Sequence, residues 1–196
     1  MRYESLMPDL GTPIPQFALP DPSGRIFELK DFASARALLV AFVCNHCPFV
    51  QHLIDGFVAF ASEYAPKGLA TVAISSNDIA TYPDDAPEKM AEFAAAHNFG
   101  FPYLFDESQQ VAKAFGAACT PDFFLYDSNR RLYYRGQFDN SRPQTQYFPG
   151  PPVPVTGADM RAAVEAALAG KPAPATQMPS RGCSLKWKPG NEPSWG

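Results

Sequence analysis

The sequence predicts an α/β domain with a central mixed β-sheet, helices on both faces and a β-hairpin ahead of them. Three observations predict it. Two apolar runs, Ala37 to Val43 and Leu69 to Ile74, continue without polar alternation, as strands buried on both faces require. A helical pattern follows each run. Short turn-bounded strand pairs flank this βαβα core, one before it and one after it.

Taken in order, Gln16 to Leu19 and Arg25 to Leu29 read as a hairpin around the turn Asp21-Pro-Ser-Gly. Ala37 to Val43 is the first core strand. Beyond Cys44-Asn-His-Cys-Pro, residues Phe49, Leu53, Phe57, Phe60, Ala61 and Tyr64 share one helical face. Leu69 to Ile74 is the second core strand. Asp85-Ala-Pro-Glu then reads as a capping box, with Pro87 in the first turn and Met90, Phe93, Ala94 and His97 facing inward. Phe101 to Phe105 is a short strand, and Ser108 caps a brief helix that stops near Gly116. Asp122 to Tyr126 and Leu132 to Arg135 form a second hairpin across Asp127-Ser-Asn-Arg. After a proline-rich loop at 143–154, Thr156 to Ala169 is a last amphipathic helix ended by Gly170. Residues 1–170 therefore read as one domain and 171–196 as an irregular C-terminal tail.

Composition narrows the function. The 196 residues carry a net charge of −4 with basic residues scattered, which excludes a nucleic-acid-binding surface. With 46% hydrophobic residues the chain can bury a full core, so its four cysteines are not needed as staples. The N-terminal segment has prolines at 8, 13 and 15 and lacks the apolar stretch of a secretory signal. No run approaches the length of a membrane span. A cytoplasmic location without membrane association is the expectation, and there closely spaced cysteines point to redox or metal chemistry.

Cys44-x-x-Cys47 lies where the first core strand meets the first long helix. The spacing predicts Cys44 at the helix N-cap and Cys47 at the third helical position, close enough for a small-ring disulfide. The helix N-terminus favours a thiolate at Cys44, the attacking species in disulfide exchange, leaving Cys47 to resolve the mixed disulfide. His46, between them, is placed to carry a proton near neutral pH and to tune that thiolate.

Three segments resemble the redoxin branch of the thioredoxin superfamily, near the alkyl-hydroperoxide-reductase/thiol-specific-antioxidant proteins. They are Gly11-Thr-Pro-x-Pro-x-Phe-x-Leu, Cys44-Asn-His-Cys-Pro-Phe-Val and Cys119-Thr-Pro-Asp-Phe-Phe-Leu. Asp106-Glu-Ser-Gln, Tyr134-Arg-Gly-Gln and Gly182-Cys-Ser-Leu-Lys-Trp-Lys resemble a bacterial subgroup of that superfamily. The resemblance implies a thioredoxin-like fold with Thr120-Pro121 as a cis peptide facing the cysteine pair and positioning an extended substrate. It implies an enzyme of thiol–disulfide exchange with no cofactor beyond the redox-active Cys44–Cys47 disulfide. Its partners would be a disulfide-containing protein or small-thiol substrate and a cellular thiol reductant; oligomeric state is left open.

Two departures from the family pattern matter. Val43 stands where thioredoxins carry Trp, and the peroxiredoxin motif Pro-x-x-x-Thr-x-x-Cys is missing. With Cys47 at the peroxidatic position, Cys44 stands where that Thr would be. The runner-up is a thiol peroxidase in which Cys47 attacks peroxide and Cys44 resolves it. A copper-binding module is a second alternative, resting on Cys44, His46, Cys47 and His52. A tetrahedral zinc site lacks a second ligand pair, and Pro48 stands where c-type haem attachment needs His, so no metal ligand is assigned. Cys119, beside Thr120-Pro121, reads equally as a third redox thiol or a small buried hydrophobe. Cys183, beside Lys186, Trp187 and Lys188 in an electropositive setting, reads as a resolving or partner-linking cysteine or as a surface residue.

Overall fold

A computed structural model describes residues 2–144 and 151–195. Its central sheet has five strands in the order β6-β5-β4-β8-β9. These are β4 (Ala37–Phe42), β5 (Leu69–Ser75), β6 (Tyr103–Phe105), β8 (Asp122–Tyr126) and β9 (Leu132–Gly136). The middle strand β4 is parallel to β5, from Ala37↔Leu69 to Phe42↔Ile74, and antiparallel to β8, from Leu38↔Tyr126 to Phe42↔Asp122. The sheet is therefore mixed, as the sequence predicts. Every residue of β4 is buried, and successive side chains enter opposite cores.

Ala37, Leu39, Ala41 and Val43 pack with helices α1 (Pro48–Tyr64), α2 (Pro87–Ala96) and α4 (Ala158–Leu168). Leu38, Val40 and Phe42 pack with α3 (Gln110–Phe115) and the N-terminal hairpin, β2 (Ala18–Pro20) and β3 (Ile26–Glu28). An aromatic cluster fixes α1 on its face of the sheet. Phe57 meets Phe123 and Phe138 edge-on, and Phe60 meets Phe138 the same way. Each such pair adds about 0.5–1.5 kcal/mol beyond simple burial. Helix α3 stops at Gly116, whose φ of +68° suits glycine.

Residues 171–196 depart from the irregular tail expected of them. Arg181–Ser184 form a strand, β10, in a second sheet ordered β1-β10-β7, with β1 at Arg2–Glu4 and β7 at Cys119–Thr120. No local pattern announces this strand, because its partners lie at the far end of the chain and beside the dithiol. The chain beyond β10 is also docked: Leu185 is buried against the hairpin-side core, and Lys186 and Lys188 donate backbone hydrogen bonds to Asn77 and Gln109. Part of the expected 143–154 loop lies outside the described residues.

Candidate functional site

The cysteine pair sits at the C-terminal end of β4, the usual ligand side of such a sheet. The helix begins later than expected. Pro48, with its fixed φ and missing N–H, takes the first helical position, which makes Cys47 the N-cap and leaves Cys44 three residues outside the helix. Capping at Cys44 is thus corrected to capping at Cys47, the residue aligned with the positive end of the helix.

Both sulfurs are sealed in, Cys44 being 1% exposed and Cys47 fully buried. Thr120, next to the cis Thr120–Pro121 peptide, touches both. In its thiol form Cys47 donates to the Thr120 carbonyl at 3.1 Å, and Cys44 Sγ lies 3.4 Å from Thr120 Oγ1. A third cysteine approaches the pair from β10, where Cys183 lies opposite Thr120 and its side chain interacts with that of Cys47.

Charge distributes unequally among the three. Burial opposes ionisation of Cys47, but hydrogen bonds from Cys183, Cys44 and Thr120 outweigh it and hold this thiol well below the usual range. Cys44 moves the other way: its hydrogen bond to Cys47, together with burial and the nearby Asp85 carboxylate, pushes it far up. Cys183 is likewise raised by its bond to Cys47 and by burial. The groups around Cys47 favour its ionisation, whereas those around Cys44 oppose it.

The loop between the cysteines is held by Asp85, whose sequence pattern predicts a helix cap. Asp85 was expected to cap α2, yet Ala86 is the N-cap there and no side-chain cap forms. The Asp85 side chain turns instead into the CNHC loop, where Oδ1 accepts from the Asn45 and His46 amides at 2.8 and 3.4 Å. Its Oδ2 accepts from Asn77 Nδ2 at 2.7 Å and lies 2.7 Å from His46 Nδ1. Only the fold brings residue 85 beside residue 45, and the Asp-Ala-Pro-Glu pattern masks it as an ordinary cap.

His46 is consequently paired rather than free. Contact with Asp85 raises its pKa against a smaller desolvation effect, and its ring stacks on Tyr82 at 5.3 Å. Asn45 is fixed by donors from Tyr103 and Gln51 and by its own bond to the Asp84 carbonyl. The loop is a rigid mount for the dithiol.

Cys119 is fully buried, and burial with the neighbouring Asp122 carboxylate pushes its thiol far up, which suits the small-hydrophobe reading. Among the described residues, Cys44, His46 and Asp85 place potential metal-ligating atoms within 4.8 Å of one another. Both Asp85 oxygens already accept hydrogen bonds there. His52, of the sequence cluster, lines a separate cleft with Phe138 and Arg142.

A buried dithiol at the junction of a core strand and a helix N-terminus, opposite a cis proline, defines a redox protein of the thioredoxin-like class. The family follows from comparison: a model described as the AhpC/TSA family matches residues 10–135, and the chain belongs to that family. A hypothetical protein from Sinorhizobium meliloti 1021 is 51% identical, with a TM-score of 0.91 over 95% of this chain and 99% of its own. An uncharacterized conserved protein from Geobacillus kaustophilus is 48% identical, with a TM-score of 0.90 over 96% and 97% of the two chains. Relatives with functional names are more distant. "Putative peroxiredoxin Rv2521" of Mycobacterium tuberculosis is 30% identical over 55% of this chain, and the match spans 63% of its length. The thiol-disulfide oxidoreductase ResA of Bacillus thuringiensis is 20% identical over 71% of this chain and 76% of its own. Among the described residues, no helix is long and apolar enough to cross a membrane.

Proposed function

We propose that this chain is a thiol–disulfide oxidoreductase in which Cys47 is the attacking thiolate and Cys44 the resolving thiol. The observation that supports this reading is the place of Cys47, at the N-cap of α1 and against the cis Thr120–Pro121 segment, with the Cys44 and Cys183 side chains beside it. A thiolate so stabilised exists at neutral pH and attacks a disulfide sulfur in line, forming a mixed disulfide. Cys44, hydrogen-bonded to Cys47, then gives up its proton and attacks Cys47 Sγ, which releases the second thiol and leaves Cys44–Cys47 oxidised. An external dithiol returns the pair to the reduced state. Asp85 and His46 hold the loop so that both sulfurs keep this geometry. Substrates are disulfides of proteins or of small thiols, in a reducing compartment such as the cytoplasm.

The roles are tested by single serine variants assayed with oxidised glutathione. Cys47→Ser abolishes turnover, whereas Cys44→Ser arrests the reaction with Cys47 in a stable disulfide. The opposite pattern assigns the attack to Cys44. A peroxidase reading is favoured by one feature, the thiolate at the position of the family's peroxidatic cysteine. Thiol-dependent turnover of low-micromolar peroxide, faster than that of disulfides, would select it.

A further inference from the structure

The reaction just proposed has an access problem. Cys44 and Cys47 expose almost nothing to solvent, whereas Cys183 is only partly buried. Of the three clustered sulfurs, the one on the C-terminal strand is the one that the outside can reach.

That strand is built to bring its sulfur close. β10 lies antiparallel on β7 with Cys183 opposite Thr120, the residue that also contacts Cys44 and Cys47. Gly182 permits the approach: a Cβ there would fall 2.0 Å from the Thr120 carbonyl oxygen and 2.6 Å from its carbon. The far side of β10 pairs with β1, and Ser180 on its leading edge bonds to Ser5 and to the Gly136 carbonyl. On the trailing side Leu185 bonds to the Ala118 carbonyl and Lys186 to Asn77 Oδ1. Asn77 in turn donates to Asp85, so docking of the strand and support of the CNHC loop share one side chain. β10 therefore runs along the edge where an extended polypeptide would pair beside the dithiol, and it presents a cysteine there.

We propose that Cys183 is a third redox-active residue, the sulfur through which the buried Cys44–Cys47 pair exchanges disulfides with external thiols and disulfides. This rests on the thiol–disulfide reading above and names the disulfide that Cys47 attacks. Cys183 passes its proton to the neighbouring Cys47 thiolate, and the Cys183 thiolate attacks an external R–S–S–R′. The Cys183–R disulfide forms, and R′S⁻ leaves with the proton from Cys47. Cys47 then attacks Cys183 Sγ, forming Cys47–Cys183 and expelling RS⁻. Cys44 next attacks Cys47, forming Cys44–Cys47, and its proton restores Cys183 to the thiol. Two electrons have passed from the pair to R–S–S–R′, and Cys183 is unchanged.

The test is disulfide mapping by mass spectrometry on the full chain after exposure to oxidised glutathione. In Cys47→Ser, glutathione is expected on Cys183; in Cys44→Ser, the expected product is Cys47–Cys183; in Cys183→Ser, turnover is lost while the fold is kept. Glutathione on Cys44 in the first variant, or undiminished turnover in the third, overturns the relay while leaving exchange at the pair intact. A wild-type protein that forms no Cys44–Cys47 disulfide at all overturns the relay together with the reading beneath it. A purely structural Cys183 would form neither trapped species.

Discussion

Replacing Asp85 by Asn tests the support of the site with little change in shape. Asn keeps an oxygen able to accept from the Asn45 and His46 amides. Its amide nitrogen, however, must face two donors, Asn77 Nδ2 and a protonated His46 Nδ1, each 2.7 Å away in the parent. Removing one partner of a buried ion pair costs about 3–5 kcal/mol. Here the His46 side chain is 24% exposed and Asp85 fully buried, so water recovers part of the loss and about 2–4 kcal/mol is expected. For a chain of this size each kcal/mol lowers Tm by about 2–4 °C, so the drop should be roughly 5–15 °C. The pH dependence carries a sign. Because Asp85 raises the His46 pKa above its unfolded value, the stabilisation is complete below about pH 6.5 and fades as pH rises through the folded-state value. The gap between parent and variant should therefore narrow toward alkaline pH. Urea denaturation in reducing buffer, paired with NMR titration of the His46 ring, measures both effects. A variant within about 1 kcal/mol of the parent, with His46 titrating unchanged, would refute this account of the loop.

Three further outcomes follow from the same structure. Asp122 is fully buried, and burial raises its carboxyl to about 7 despite hydrogen bonds from Ser5 and the Ala118 amide. The folded state resists its ionisation, so Asp122→Asn should gain stability relative to the parent as pH rises from about 4 to 7, measured by denaturation across that range. Leu185 is 3% exposed and anchors the end of β10, so Leu185→Ala should cost about 2–4 kcal/mol and speed alkylation of Cys47, read peptide by peptide. The lowered Cys47 pKa predicts an alkylation rate at Cys47 that stays level between about pH 6 and 8, whereas an ordinary thiol near 8.5 would react faster with each step up. A rate climbing in proportion to hydroxide would remove the thiolate from Cys47.

The β-α-β-α core was legible because each of its elements is defined locally. The run Ala37 to Val43 has no polar residue to place outward, so it must be a strand covered on both faces. The apolar stripe from Phe49 to Tyr64 repeats at helical spacing. The position of the cysteine pair between them was legible for the same reason, and the Thr120-Pro121 segment was found through its resemblance to a known family. Less was legible at single-residue resolution. Pro48 moves the helix start by three residues, which puts Cys47 and not Cys44 at the N-cap. Asp85 sits in a motif that is sufficient to cap a helix, and nothing in the sequence signals that its carboxylate turns 40 residues back along the chain to the CNHC loop. The tail carries three prolines, Pro172, Pro174 and Pro179, before β10, and no alternation, so it gave no sign of a strand.

What the amino-acid sequence determined by itself is the scaffold and the chemistry available to it: buried strands, amphipathic helices and a dithiol at their junction, each set by contacts among near neighbours. What only the tertiary structure decided is where each sulfur stands relative to the helix and which groups lie against it. Those depend on Asp85, Thr120 and Cys183, remote in sequence, and electrostatic and hydrogen-bond energies are set by distances through space that no local pattern encodes.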